Sequence, residues 1–218
     1  TSPEAIARHL DPPLKSLNNY VMIHNYYMPE VQGMGIVEET NVMIGVSVSD
    51  LDGREFIGGF STNLLISSDV GLAQGREIHG QPKKLGSTKL VVDNGQIEAK
   101  VYRNSDLVSH VTATYKSEVS TIEELKSYFP FAQNINHKVI RNIDGSQGIN
   151  QVTARTLSDV QIKGIWSGNC TVNLYPNTEA PFHLLPVVKS VKSFYWEADF
   201  ALVPGVIVRD FLKEKLDD

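Results

Sequence analysis

The segment Gly75-Arg76-Glu77-Ile78-His79-Gly80-Gln81-Pro82-Lys83-Lys84-Leu85-Gly86 holds the residues of this 218-residue chain best suited to covalent chemistry. Two adjacent lysines follow a Gly-x-Pro corner, with Gly80 and Gly86 on either side and the apolar Ile78, Leu85 and Leu90 nearby. In a surface loop such a pair reads as two solvated charges. The alternative comes from context: Pro82 fixes the backbone just before Lys83, and a lysine aimed from there into a β-barrel interior is desolvated, which favours the neutral amine.

Neutrality is what the chemistry requires. An amine attacks a ketone only without its proton, and an ordinary lysine with a pKa of about 10.4 offers roughly one neutral amine in 2,500 at pH 7. Making half of the amines neutral at that pH is a change on the order of 4–5 kcal/mol. Burial of Lys83 and like-charge repulsion from Lys84 are the two available sources, and the residues alone leave open which dominates.

The elements that must position these lysines read as mainly β. Runs rich in Val, Ile, Thr and aromatic residues occupy roughly 20–28, 33–49, 54–67, 87–93, 96–103 and 107–117. The breaks at Asp52-Gly53, Asn94-Gly95 and Asn104-Ser105 are short enough for antiparallel hairpins. Further strands are expected at 135–142, 149–164, 168–175 and 186–202. Short helices are expected over 3–11 (Ser2 as N-cap, Pro12-Pro13 as stop), over 70–78 (capped by Ser68 or Asp69) and over 121–127, where Ser120 and Glu123 form a capping box. A terminal helix, about 204–215, starts at Pro204 and turns Val206, Ile207, Phe211 and Leu212 toward the body. The fold class is α+β, mainly β: an antiparallel sheet or closed β-barrel-like core with a few short flanking helices and a C-terminal helix. With no linker and no repeat, residues 1–218 read as one domain.

Composition excludes several function classes. A formal net charge of −5 supplies neither a phosphate-tracking surface nor a polybasic membrane anchor, so nucleic acid and membrane are not expected partners. The lone Cys170 excludes an intrachain disulfide framework and any multi-cysteine metal site, and fits a reducing, cytoplasmic setting. Histidines at 9, 24, 79, 110, 137 and 183 show no ligand spacing, and neither a P-loop nor a Gly-x-Ser-x-Gly elbow is present. No metal or organic cofactor is expected.

The run GREIHGQPKKLG resembles the active-site lysine motif of the acetoacetate decarboxylase family, in which a Gly-Arg-Glu turn leads into Pro-Lys-Lys-Leu. The blocks INHKVIRNIDGSQGINQV, IWSGNCTVNLYPNTEAPFHLLPV and FYWEADFALVPGVIVRDFL follow in the family's order, so the resemblance covers nearly the whole chain. It implies that Lys83 is the Schiff-base residue and Lys84 the neighbour credited with activating it. Acetoacetate decarboxylase is the standard example of a lysine activated by desolvation or a nearby cation. Glu39, in GIVEETN, falls at an active-site glutamate that handles or orients a proton; its plainer reading is a solvent-facing partner of Glu38.

The resemblance also has departures. His24, in VMIHNYY, stands where the family has a second glutamate, and Gln81 stands at an often aromatic position, with His79 close by. These residues imply a more polar, substrate-facing pocket, although a core histidine remains an equal reading of His24. Arg76, grouped with the pocket, and Glu77 read more readily as an internal ion pair that positions the loop. The family's arginine for the substrate carboxylate falls upstream of Thr1. The family further implies a homo-oligomer acting on a small keto acid or other carbonyl substrate. Three activities are compatible with the residues: decarboxylation of a β-keto acid through an iminium and enamine; aldolase, dehydratase or cyclase chemistry through the same imine; and non-enzymatic binding of a small ligand in a β-barrel.

Overall fold

The computed structural model describes residues 1–130 and 133–214. Its strands are β1 (Lys15–Val31), β2 (Gly35–Ser49), β3 (Glu55–Ile66), β4 (Lys83–Leu85), β5 (Ser87–Asp93), β6 (Gln96–Arg103), β7 (Asp106–Thr114), β8 (Glu118–Val119), β9 (Gln133–Arg141), β10 (Gln147–Gly168), β11 (Cys170–Leu174), β12 (Ser193–Leu202) and β13 (Val206–Asp210). The helices are α1 (Pro3–Ala7), α2 (Asp69–Gln74), α3 (Ile122–Tyr128) and α4 (Phe211–Glu214), and a π-helical turn, Gly75–His79, continues α2. The turn signals act as expected: Gly53, Asn94, Gly95 and Asn104 all take the left-handed backbone that these tight reversals need.

A nine-stranded sheet runs in the order β1-β2-β3-β9-β10-β12, with β4 beside β3 and both β8 and β13 beside β10. A separate four-stranded sheet has the order β11-β7-β6-β5. The large sheet curls as a half-barrel. Most pairs are antiparallel, but β3 pairs in parallel with both β4 and β9.

Strand alternation gives the curled sheet two different faces. One face carries Val42, Ile44, Val46, Val48, Leu65, Ile135, Val152 and Ala154, and packs into the main apolar core with Ile6, Val101, Val108 and Phe182. Register places the intervening residues on the opposite face: Tyr26 lies opposite Glu39 and His24 opposite Asn41. Lys83 lies opposite Leu64. Arg155 lies opposite Asn134, and Thr153 opposite Asn136. A small apolar cluster of Val37, Leu64 and Ile66, packed by Met28, Met34 and Leu72, closes one end of this polar face.

The chain's local chemistry corrects four expectations. The terminal segment is strand before it is helix, because Val206, Ile207 and Val208 are β-branched and the segment Val206–Asp210 pairs with Gln151–Ala154 of β10. Val206 and Ile207 are therefore exposed while Val208 is buried, and the helix begins only at Phe211, after Asp210 accepts from the Leu212 amide. Position 215 of the expected helix lies outside the described residues. The α3 cap sits one residue later than expected: Thr121 accepts from the Glu124 amide, while the Ser120 hydroxyl donates to the Glu124 carboxylate at 2.5 Å. Residues 186–192 are irregular rather than strand, and α1 ends at Ala7, ahead of the prolines.

Candidate active site

Lys83 owes its position to three pieces of local structure. Ser68 accepts from the Gly71 amide to start α2, and the helix widens into a π turn over Gly75–His79. The turn ends at Gly80, whose φ of 74° and close approach to Lys138 both require glycine; a Cβ there would lie 2.4 Å from the Lys138 Cβ. The Lys138 ammonium then donates to the Ile78 carbonyl at 3.2 Å, and the Thr153 hydroxyl to the His79 carbonyl at 2.9 Å. The chain enters β4 already anchored to β9 and β10, and the Arg76 guanidinium donates to the Lys83 carbonyl at 3.3 Å.

Alternation along β4 then separates the two lysines. Lys83 points to the polar inner face with 7% of its surface exposed, and its Nζ lies 2.9 Å from Oε2 of Glu39 on β2. Lys84 points outward, exposed, and its ammonium donates to the Glu179 carbonyl. The structure therefore brings Lys83 and Glu39 together and leaves Lys84 on the other side of the strand. The lysine stem runs directly over Gly75, where a Cβ would stand 2.4 Å from its Cδ and 2.9 Å from Oε1 of Gln81. Gln81 is buried beside that stem.

His24 is buried on β1, and its Nε2 accepts from the indole N–H of Trp196 at 2.9 Å. An indole nitrogen only donates, so the histidine proton resides on Nδ1. Burial pushes His24 down to about 3, so it is neutral at physiological pH and is no source of protons there. His79 is half-buried at the end of the π turn, and burial together with the charges of Arg155, Lys83 and Lys138 lowers it to about 4. Arg76 is exposed and supports the β4 backbone. Arg76 and Glu77 form no ion pair with each other, so that expectation is not met.

Reading the sequence alone missed the rest of this face. The Tyr26 ring lies 3.7 Å from that of His24, and burial plus the charge of Glu39 hold its phenol well above the usual range, as the protonated form. The Asn41 amide donates to Ser61 at 3.1 Å. Asn136 and Arg155 are buried on β9 and β10. Alternation was the available signal: Tyr26 is two residues from His24, Asn41 two from Glu39, and Arg155 interrupts a run whose Val152 and Ala154 face the core. No group of three or more His, Cys, Asp or Glu among the described residues is placed to hold a metal. No described helix is long and apolar enough to cross a membrane.

The sequence and the curled-sheet fold that carry this pair are similar to those of known proteins. The family model described as acetoacetate decarboxylase matches residues 1–212. Acetoacetate decarboxylase 1 of Bradyrhizobium diazoefficiens is 30% identical over 213 residues, which is 97% of this chain and 82% of that protein. The acetoacetate decarboxylase of Chromobacterium violaceum is 28% identical, covering 98% of this chain and 85% of its own. The crystal structure of acetoacetate decarboxylase from Legionella pneumophila superposes with a TM-score of 0.88 at 28% identity, over 97% of this chain and 82% of that one. A match spanning nearly every described element, at these identities, settles the ancestry: this chain belongs to the acetoacetate decarboxylase family.

Proposed function

We propose that this protein is a lyase that decarboxylates a β-keto acid through a Schiff base on Lys83. The observation that carries the reading is the 2.9 Å contact between Lys83 Nζ and Glu39, two side chains that are largely buried. Family membership and relatives named acetoacetate decarboxylase support it.

The chemistry follows from that contact. Glu39 takes a proton from the Lys83 ammonium, and the free amine attacks the ketone carbon. The carbinolamine loses water as Glu39 returns the proton, which leaves a cationic iminium. The bond to the substrate carboxylate then breaks, its electron pair forms the enamine double bond, and carbon dioxide departs. Protonation of the enamine carbon and attack by water release the ketone and restore the amine. Tyr26 and the neutral His24 shape the pocket beside Glu39. Lys84 contributes from outside the pocket, by holding β4 to the Glu179 loop. Self-association of this chain belongs to the same reading by family membership, and gel filtration with light scattering measures it.

Intact-mass analysis after borohydride reduction in the presence of acetoacetate tests the proposal. A secondary-amine adduct mapped to Lys83, with carbon dioxide released in the unreduced reaction, is the expected result. An adduct with pyruvate and no carbon dioxide from any β-keto acid would replace decarboxylation with aldol-type chemistry through the same imine. Absence of any adduct would return the protein to small-ligand binding.

A further inference from the structure

The decarboxylation chemistry makes no use of Arg155. This side chain is only 5% exposed, on the same face of the sheet as Lys83, and its Nε and Nη1 have no hydrogen-bond partner among the described residues. It forms no salt bridge there either: Glu39, whose charge reaches it, is engaged by Lys83 at 2.9 Å. A guanidinium this far buried, with two of its three nitrogens lacking an acceptor, is expensive, and such groups are ordinarily paired. The surroundings are similarly unfinished. Asn136 is 1% exposed with both amide atoms unpartnered among the described residues, and Asn41 donates to Ser61 while its Oδ1 finds no partner there.

The donors and their geometry define what would complete them. A guanidinium fork presents parallel N–H groups that match a carboxylate, and the Asn136 amide adds a further donor on the same face. Which carboxylate is decided by the reaction. The group that leaves as carbon dioxide loses its negative charge on the way to the transition state. Binding energy spent on it is realised more in the ground state than in the transition state and so adds little to the rate of the step. Arg155 is therefore suited to an anion that keeps its charge throughout. We propose that Arg155, with Asn136 on the same face, is the receptor for a carboxylate that the substrate retains, so the substrate is a β-keto acid bearing a second carboxylate. One carboxylate departs as carbon dioxide after iminium formation at Lys83, one proton is taken up, and the product is a keto monocarboxylate still held at Arg155.

This inference rests on the Schiff-base reading, and the experiment separates the two. Initial rates of carbon dioxide release are measured with 3-oxoglutarate and with acetoacetate for the wild type, Arg155→Lys and Arg155→Met, alongside calorimetric binding of glutarate and butyrate, which form no imine. The wild type is expected to favour 3-oxoglutarate in kcat/KM by about tenfold or more, the scale of a site built around a specific polar contact. Arg155→Met should abolish that preference, lowering kcat/KM for 3-oxoglutarate by about tenfold or more beyond any change for acetoacetate, and Arg155→Lys, which keeps the charge without the fork, should fall between. The lysine variant also carries the comparison if the methionine variant fails to fold. A wild type that favours acetoacetate, or an Arg155→Met that lowers both substrates equally, overturns the proposal and leaves the Schiff base intact. If neither keto acid is turned over or trapped, the Schiff-base reading fails. Glutarate then decides the receptor: binding tighter than butyrate and lost in Arg155→Met upholds it, and equal binding overturns it.

Discussion

Lys83 and Glu39 meet at 2.9 Å although their strands are not neighbours. β3 runs between them: its Leu64 faces Asn41 of β2 on one side and Lys83 of β4 on the other. Strands in a sheet lie about 4.8 Å apart, so the two backbones stand about 10 Å from each other. Only a long side chain on a strongly curled sheet spans that gap. The pair therefore reports on the curl of the sheet as much as on the chemistry.

Replacing Lys83 with methionine removes the nucleophile and strands a carboxylate. Activity should fall by about 10⁴-fold or more, the scale seen when a covalent nucleophile is deleted. Breaking a buried pair from one side should also destabilise the fold by about 2–4 kcal/mol, toward the lower end of the usual cost because the Arg155 charge remains nearby. Adding Glu39→Gln to Lys83→Met should recover part of that loss without recovering activity. Urea unfolding of the two single variants and the double variant measures the coupling. Additive effects of the two substitutions would mean that the ion pair does not form in solution.

Gly75 is a steric position rather than a conformational one, because its φ of −62° suits any residue. Alanine there would gain helix propensity of about 0.5–1 kcal/mol. Its Cβ would also stand 2.4 Å from Lys83 Cδ and 2.7 Å from Cε, so the lysine stem must move. A displacement on the order of 1 Å at a reacting group costs about a hundredfold in rate. Gly75→Ala should therefore keep a melting temperature near that of the wild type while borohydride trapping at Lys83 slows by about two orders of magnitude. Wild-type trapping kinetics in a folded variant would show that the stem has room the structure denies it.

Much of the fold was legible because the hairpins are local. Asp52-Gly53, Asn94-Gly95 and Asn104-Ser105 announce their turns, and the strands they join follow within a few residues of the expected limits. The parallel contacts of β3 with β4 and β9 were not legible, since nothing local in either partner encodes a long-range pairing. The terminal strand was misread because Pro204 and the spacing of Val206, Ile207 and Phe211 also fit a helix. Its β-branching was the better signal, and its partner on β10 decided the matter. At the candidate site, the motif and the resemblance point to Lys83 and Glu39, which the structure brings into contact. Neither points to Arg155 or Asn136, because placing them on the lysine face requires the register of β9 against β10.

Lys84 separates the motif from the mechanism. It was expected to activate its neighbour by charge, yet alternation along β4 turns it outward to the Glu179 carbonyl. An exposed contact of this kind contributes at most about 1 kcal/mol. Lys84→Met should leave the pH at which trapping reaches half its maximum unchanged, and should lower turnover by no more than about threefold, through slight loosening of β4. A shift of that midpoint by a full pH unit would restore the like-charge account.

His24 should govern acid stability and not catalysis near neutrality. Its proton affinity in the folded protein corresponds to about 3, against an unperturbed value of about 6.5 for an exposed histidine. The sign follows from which state binds the proton. Below about pH 6.5 the unfolded chain protonates at this site while the native protein does not, so stability falls with decreasing pH until the native histidine also titrates near 3. Across that window a single such group contributes a slope of up to about 1.4 kcal/mol per pH unit, and His79, lowered to about 4, adds to the upper part of it. His24→Gln, which keeps an acceptor for the Trp196 indole, should leave stability at pH 8 nearly unchanged and flatten the decline between pH 6 and 4. Equal slopes for the two proteins in denaturant titrations over that range would show that His24 is protonated in the native state, and the indole hydrogen bond could not then exist.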